Sequence, residues 1–495
     1  MTEILDKKNV FGVQQLSVFF LIFGIVIRLI QYLSNRSLWF DEVSLALNIT
    51  QRSYLELLQP LDYNQAAPPG FLWIEKFSTQ IFGNNEYALR LFPLIAGIVS
   101  LILFYQFANR YASKLSLPIA VALFACLPYT FYYATEVKQY SSDLAIGLIF
   151  LLWLVTWQYQ FLNLKQASML AGVGAVAIWI SHPSIFTLGG IELIYLLTAQ
   201  HRWRLLLNRL PVYLTWLLSF GLLYFFTILP TLGNDDLIES WGSRYPDSLV
   251  DFLWLLDALG RFFYRPMGFF SISDGVAMVT FVIGCMLWFR QKTIIALGLF
   301  APFVVTLIAS YLHQYPFRER LVLFLVPAGI LAISEGINFL IDRSNRVLHY
   351  LGIIVLAILL IPPIFSAGKL IAQPQVKEEF RPVLAQIAAQ RQSGDRLYVY
   401  FKGRNHFDFY GPKFGYTDKD YTLGQIEFGD DEVSPAEHSK YHQEIDQFQG
   451  EERVWLLFRT DLAQEATLLS YPNQRGKQLE CIRKFGAFAC LYSFS

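Results

Sequence analysis

Charge is what this chain lacks. Only 16% of its 495 residues are Asp, Glu, Lys or Arg, against about 25% in a soluble globular protein. With hydrophobic residues at 54% and a mean hydropathy of +0.39, that scarcity excludes disorder and an ordinary soluble enzyme. The 39 basic residues balance 39 acidic ones, so no net positive charge draws nucleic acid. Four cysteines exclude a disulfide-dense scaffold, and no C-x-x-C spacing marks zinc. There is no internal repeat and no low-complexity tract. What remains is a mainly α, polytopic helical membrane protein with room for one soluble domain.

No cleavable signal peptide is evident: the run from Phe11 to Leu33, behind Lys7 and Lys8, is long enough to span a bilayer. Eleven spans are expected, at 12–33, 91–109, 116–134, 140–161, 167–181, 183–199, 211–230, 273–289, 294–311, 321–340 and 348–366. Lys and Arg mark the cytoplasmic side of short loops. Lys7 and Lys8, Arg110 and Lys114, Lys165, Arg202, Arg204 and Arg209, Arg290 and Lys292, and Arg343 and Arg346 all fall on one side of this count. The outer loops 34–90 and 231–272 and everything after 366 are then extracytoplasmic. The division expected is a transmembrane domain, 1–366, and an extracytoplasmic domain, 367–495.

The tail reads as a small α/β domain. Glu378 to Gln392 has a helical period, with Phe380, Val383, Leu384 and Ile387 on one face. Arg396 to Phe401 and Val454 to Phe458 read as strands, and Gln478 to Phe494 as a hairpin turning at Phe485-Gly486. That register sets Cys481 opposite Cys490, where a disulfide is allowed outside the membrane. A slip of one residue would part them. Cys126 and Cys285 sit in spans as small apolar filler.

Five constellations carry chemistry. The first is Leu38-Trp39-Phe40-Asp41-Glu42, just past span one. Two adjacent carboxylates beside interfacial aromatics suit a general base with an orienting acid or cation ligand. A hydrated loop end is the ordinary alternative. The second is Asn64 to Phe71 with its tandem Pro68-Pro69. It starts an amphipathic helix on the membrane, with Phe71, Ile74, Phe77 and Ile81 on one face and Glu75, Lys76 and Gln80 on the other. Gly83 to Arg90 then leads into span two, where Arg90 either snorkels or meets a phosphate. The third is the turn Tyr132 to Tyr140, holding Glu136 and Lys138, which otherwise serve as helix caps. The fourth is His182, structural or part of a site. The fifth is Tyr315 to Arg320, where Arg318 and Arg320 suit lipid phosphate or plain anchoring. The topology puts all five on one face. Loop 231–272, with Asp235, Asp236, Glu239, Arg244, Asp247, Asp251, Asp257, Arg261 and Arg265, suits a lid or acceptor element, or a plain connection.

With these motifs the chain resembles the GT-C membrane glycosyltransferases, most closely glycosyltransferase family 39, the protein O-mannosyltransferase and aminoarabinose transferase type. The resemblance is carried by Trp39-Phe40-Asp41-Glu42, Pro68-Pro69-Gly70-Phe71, Gly83 to Arg90 and Glu136 to Tyr140. Arg318-Glu319-Arg320, ahead of a span with Pro327, is similar to a later family feature. It covers residues 12–190 in detail and the rest in layout. Lys138 stands where the family often has Arg. The resemblance implies a polyprenyl-phosphate sugar donor, inverting transfer on the extracytoplasmic face, and Asp41 as base or acceptor-orienting group. It leaves a protein, lipid or glycan as the acceptor. Arg90, Lys138, Arg318 and Arg320 become candidates for the donor phosphate. Glu42, Glu136, His182 and Tyr140 become candidates for orienting the acceptor. A divalent cation is compatible with Glu42, Glu136 and His182, without a complete ligand set.

Two rivals are a transporter or flippase for lipid-linked glycans and an envelope scaffold without catalysis. A transporter needs charge near the midplane and repeated halves. Here the spans are nearly free of central charge; Glu192 and Glu335 are exceptions without evident partners. The sequons Asn35-Arg36-Ser37 and Asn48-Ile49-Thr50 flank Asp41, and glycans there would crowd it. That favours a bacterial cytoplasmic membrane.

Overall fold

The computed structural model describes residues 2–157, 159–233, 241–242, 244–426, 435–460 and 462–495. The chain divides into two compact units. One is residues 1–34 and 53–374; the other is residues 35–52 and 375–495.

The first unit is helical. Among the described residues, seven helices are long and apolar enough to cross a membrane: Gly12–Leu33, Glu86–Tyr111, Arg202–Thr231, Ile272–Gln291, Thr293–Tyr311, Glu319–Ile341 and Arg346–Ala372. Ser116–Cys126 and Pro128–Thr135 form a bent pair, at 58°, and Tyr140–Trp153, Leu164–Ile180 and Ser184–Thr198 are shorter apolar helices. All eleven fall on the runs read from the sequence. The bend has a local cause. Pro128 cannot donate to the turn before it, and Leu127 is extended, with ψ at 132°. The Thr130 hydroxyl donates to the Phe124 and Leu127 carbonyls at 2.7 and 2.8 Å. Arg28, wholly buried in the first span, donates to the carbonyls of Gly24 (2.9 Å), Ala125 (3.5 Å) and Thr130 (3.2 Å).

Three sequence expectations are corrected. Glu192 and Glu335 do have partners. Glu192 is ion-paired with buried Arg209 and accepts from the Tyr213 hydroxyl at 2.6 Å, while Glu335 accepts from the Ser113 N–H at 2.6 Å. Glu75 is not on a polar face. In the helix Pro69–Phe82 it is buried with Phe71, Leu72, Ser78 and Thr79, while Phe77, Ile81 and Phe82 are exposed. Neither Glu75 oxygen has a hydrogen-bond partner, and burial pushes its carboxyl well above the usual range. Of the loop 231–272, the helix Phe252–Phe262 is described; Asp235, Asp236 and Glu239 lie outside the described residues.

The second unit holds a five-stranded sheet, ordered β2-β1-β3-β5-β4, from β1 (Arg396–Val399), β2 (Tyr421–Leu423), β3 (Val454–Arg459), β4 (Lys477–Lys484) and β5 (Ala487–Ser493). β1 pairs in parallel with β2 and β3; β5 is antiparallel to β3 and β4. The helix Phe380–Gln390 buries Phe380, Val383, Leu384 and Ile387, the face read from its period. Cys481 stands opposite Cys490 and is disulfide-bonded to it. The helix Phe40–Gln51, from the first loop, packs on the helix Arg404–Tyr410 of this unit.

The tightest crossing in the first unit is between Ile272–Gln291 and Val326–Ile341. A Cβ on Gly336 would run into the Thr280 carbonyl, and one on Gly284 into that of Ala332. Close backbone approach replaces the missing hydrophobic drive between helices in lipid. Gly336→Val should therefore destabilise by about 1–3 kcal/mol, the usual cost of overpacking. Gly172→Ala, with open space at its Cβ, should be neutral. Thermal unfolding in detergent checks both; equal midpoints for the two variants would contradict the packing account.

Candidate functional site

The helix that begins at Pro128 tightens at Tyr133–Thr135 and stops. Glu136 is extended, the Lys138 N–H turns back to the Glu136 carbonyl at 2.7 Å, and a helix restarts at Tyr140. This polar turn is buried. Thr135, Glu136, Lys138, Gln139, Ser141, Ser142 and Asp143 are all in that class, with Glu136 at 0% and Lys138 at 4% exposure. Burying ionisable groups at the ends of apolar helices is costly unless they are paired, so simple helix capping does not explain them. Gln139, at the N-cap, makes no side-chain capping bond.

The turn gathers residues from other motifs. Lys138 Nζ donates to Gln65 Oε1 at 2.6 Å, which joins the segment before Pro68 to the third motif. Glu136 accepts from the Tyr132 hydroxyl. The Arg320 guanidinium lies over the Tyr140 ring at 5.6 Å, and Tyr140 meets Tyr133 edge-on at 4.9 Å. Tyr133 lies within electrostatic range of both Glu136 and Arg320. Thus Lys138, Glu136, Tyr140 and Arg320 come together.

The other candidates of this unit are held in their own surroundings. Arg318 is ion-paired with Asp257 at 2.7 Å, and Asp257 also holds Arg261. This ties the helix Phe252–Phe262 to the Arg318 segment. Arg90 is buried in the first turns of the helix Glu86–Tyr111, whose start Asn85 caps by accepting from the Ala88 N–H at 2.9 Å. His182 sits between two apolar helices; burial pushes its ring down to about 4, and its Nε2 has no partner. Among the described residues no group of three or more His, Cys, Asp or Glu side chains is placed to hold a metal ion.

Asp41 and Glu42 lie in the second unit, in the first turn of Phe40–Gln51. Carboxylates there are favoured by the helix dipole. Glu42 is wholly buried, and its Oε2 accepts from the Trp39 N–H at 3.3 Å. Lys377 Nζ lies 3.4 Å from the Trp39 ring centroid, and Arg459 lies 4.6 Å over Phe40. Sequence reasoning placed Gln65 in the second motif without a role, and did not single out Asp143, Lys377, Glu378, His406 or Arg459. Asp143 alone left a local signal: a carboxylate one turn into an apolar helix.

Residues 66–229 match the family described as dolichyl-phosphate-mannose-protein mannosyltransferase. The structure is similar to ArnT from Cupriavidus metallidurans in the apo state, with TM-score 0.54 and 12% identity over 95% of this chain and 97% of that one. It is equally similar to ArnT bound to undecaprenyl phosphate, with TM-score 0.54 and 13% identity over 96% and 97%. It also resembles the archaeal oligosaccharyltransferase AglB from Archaeoglobus fulgidus, in complex with an inhibitory peptide and a dolichol-phosphate. There the TM-score is 0.53, with 10% identity over 97% of this chain and 74% of that one. No curated protein matches the chain in sequence. At such identities the structural likeness is one of fold.

Glu378, in the second unit, is a strongly perturbed carboxylate. Burial raises the Glu378 pKa, but His406 and Arg459 beside it outweigh that and hold it at about 2. A depressed carboxylate stabilises the fold above its unfolded pKa, and that stability is lost as pH falls through the folded value. Glu378 should thus contribute fully above about pH 5 and progressively less toward pH 2. Acid unfolding of wild type against Glu378→Gln checks this: the stability gap between them should shrink as pH falls. A gap that stays constant would contradict it.

Proposed function

We propose that this chain, a membrane glycosyltransferase of the GT-C type by its fold and family match, transfers a sugar with inversion. The donor is a polyprenyl-phosphate sugar, the acceptor is a hydroxyl of a protein, lipid or glycan, and the reaction runs on the extracytoplasmic face. The observation that carries this reading is the buried turn Thr135–Asp143 with Lys138 and Arg320 beside it. ArnT has been solved with undecaprenyl phosphate and AglB with a dolichol-phosphate; the proposal brings that ligand class to this chain.

The chemistry assigns the roles. The acceptor hydroxyl gives its proton to a carboxylate, for which the family resemblance selects Asp41. The acceptor oxygen bonds to the anomeric carbon in line with the departing group. The bond from that carbon to the phosphate oxygen breaks, and its electron pair leaves on the polyprenyl phosphate. Fixed cations stabilise charge that develops there. Lys138 and Arg320 are the first candidates, because both join the buried turn that also holds Glu136 and Tyr140; Arg318 pairs with Asp257. Arg90 is a further candidate, and Glu136, Tyr140 and His182 are candidates for orienting the acceptor. Glu42 holds the Trp39 N–H and so fixes the turn that carries Asp41.

The placement of Lys and Arg supports an extracytoplasmic second unit, and the sequons flanking Asp41 support a bacterial cytoplasmic membrane. A reporter fused after Gly394 should then report the extracytoplasmic side, and one fused at Lys165 the cytoplasmic side. The same side for both would overturn the topology.

Asp41→Asn keeps shape but removes basicity, so transfer of radiolabelled sugar from the polyprenyl-phosphate donor should fall by about 10²–10⁴-fold. Loss of one carboxylate near the helix start costs only about 0.3–1 kcal/mol, so protein levels should hold. Lys138→Gln should raise the KM for donor and lower kcat together. Undiminished transfer by Asp41→Asn would remove the base.

A further inference from the structure

The turn bearing Asp41 is gripped from residues 375–495 through its two aromatic neighbours. Lys377 lies on Trp39, and Arg459 lies on Phe40. Arg459 is itself held. Its Nε and Nη2 donate to Glu378 Oε1 at 3.1 and 2.6 Å. The guanidinium is fixed along its edge by a carboxylate and on its face by a ring. The other Glu378 oxygen lies 2.8 Å from His406 Nε2, and His406 is wholly buried, its ring 5.1 Å from that of Phe380.

The backbone around these groups is tied down as well. The Glu379 N–H donates to the Phe485 carbonyl at 2.8 Å, in the turn of the disulfide-bonded hairpin. The Arg381 N–H donates to Ser37 Oγ at 3.3 Å, and the Leu38 N–H to the Tyr410 hydroxyl at 2.8 Å. Phe40 is the first residue of its helix and Asp41 the second, so displacing the Phe40 ring displaces the Asp41 carboxylate.

We infer that Arg459 is a positioning residue for sugar transfer: held by Glu378, it fixes Phe40 and, through it, the carboxylate of Asp41. The inference rests on the proposed role of Asp41 as base. An exposed cation resting on a ring would contribute little. Here the arginine is three-quarters buried, at 21% side-chain exposure, and its carboxylate partner is at 10%. A pair built this far inside orders what it touches.

The test is a double-mutant cycle on the full-length enzyme in detergent. Misplacing a catalytic group by about 1 Å can cost about 10²-fold. Arg459→Ala should lower kcat by about 10–100-fold, leaving the KM for donor unchanged. Arg459→Lys keeps the charge without the two parallel donors and should restore only part. Phe40→Ala should show the same kcat loss, and the double variant should be no worse than either single one, because both remove one interaction. Phe40→Tyr should restore kcat. If Arg459→Ala does not fold, Glu378→Gln with Phe40→Ala makes the same cycle. Additive losses, or an unchanged kcat, would overturn the inference. In an Asp41→Asn background Arg459→Ala should cost about nothing further, as expected for groups that act as a unit. Undiminished transfer by Asp41→Asn alone sinks the base reading. A large Asp41→Asn loss with intact kcat for Arg459→Ala sinks only this inference.

Discussion

No polar group of a membrane-spanning helix can be left to hydrocarbon. The break at Leu127-Pro128 would expose carbonyls of the preceding turn. Arg28 reaches across from the first span to the Ala125 and Thr130 carbonyls, and the Thr130 hydroxyl takes Phe124 and Leu127. With those groups satisfied, the chain can leave the helix between two apolar segments. That departure creates the turn Glu136 to Gln139, with Lys138 buried and held by Gln65. A continuous helix would carry Glu136 and Lys138 on opposed faces, and neither could serve a common ligand. The site therefore depends on an arginine that takes no part in its chemistry.

Much of this architecture was legible because bilayer thickness sets a length that sequence runs reveal directly. The hairpin was legible for a similar reason: a two-residue turn at Phe485-Gly486 fixes the register that sets Cys481 against Cys490. Failures came where the answer lies in a distant neighbour. Glu75 follows the helical period of a polar face, yet of Glu75, Lys76 and Gln80 it alone is buried, with Phe71 and Leu72. Glu192 and Glu335 looked unpaired because Arg209, Tyr213 and Ser113 come from other helices. β2 is only three residues long, too short to show alternation, and the helices after Tyr400 have weak apolar periods.

Asp41 and Glu42 show the same limit more sharply. Their types and their place after the first span mark them as a motif. Nothing local says that residues 35–52 form one compact unit with residues 375–495. The separation is more than 300 residues in sequence, and the bonds that close it are single contacts: Leu38 to Tyr410, Arg381 to Ser37, Asn405 to Ser44. A motif read by composition alone cannot reveal which surface orients it. Here that surface is the end of the central strand β3 and a helix whose own sequence carries no catalytic signature. The second unit is thus more than an appended domain, because it supplies the side chains that fix the motif's aromatics.

The same accounting separates transfer from transport. A carrier holds its substrate by charges near the midplane that change partners as access alternates. Glu192 and Glu335, the acids deepest in spans, have partners close at hand. Glu192 is closed by an arginine and a tyrosine, and Glu335 by a backbone N–H. Arg28 is spent on helix carbonyls. Lys138 and Arg320 differ in being set among tyrosines where helices end. Their cluster also holds Glu136, so the turn sets fixed cations and a carboxylate side by side. Sugar transfer from a phosphate needs fixed cations, because the negative charge it must stabilise appears only as the sugar leaves. Arg318 is paired with Asp257, while Arg320, two residues on, lies over the Tyr140 ring in the cluster with Lys138 and Glu136.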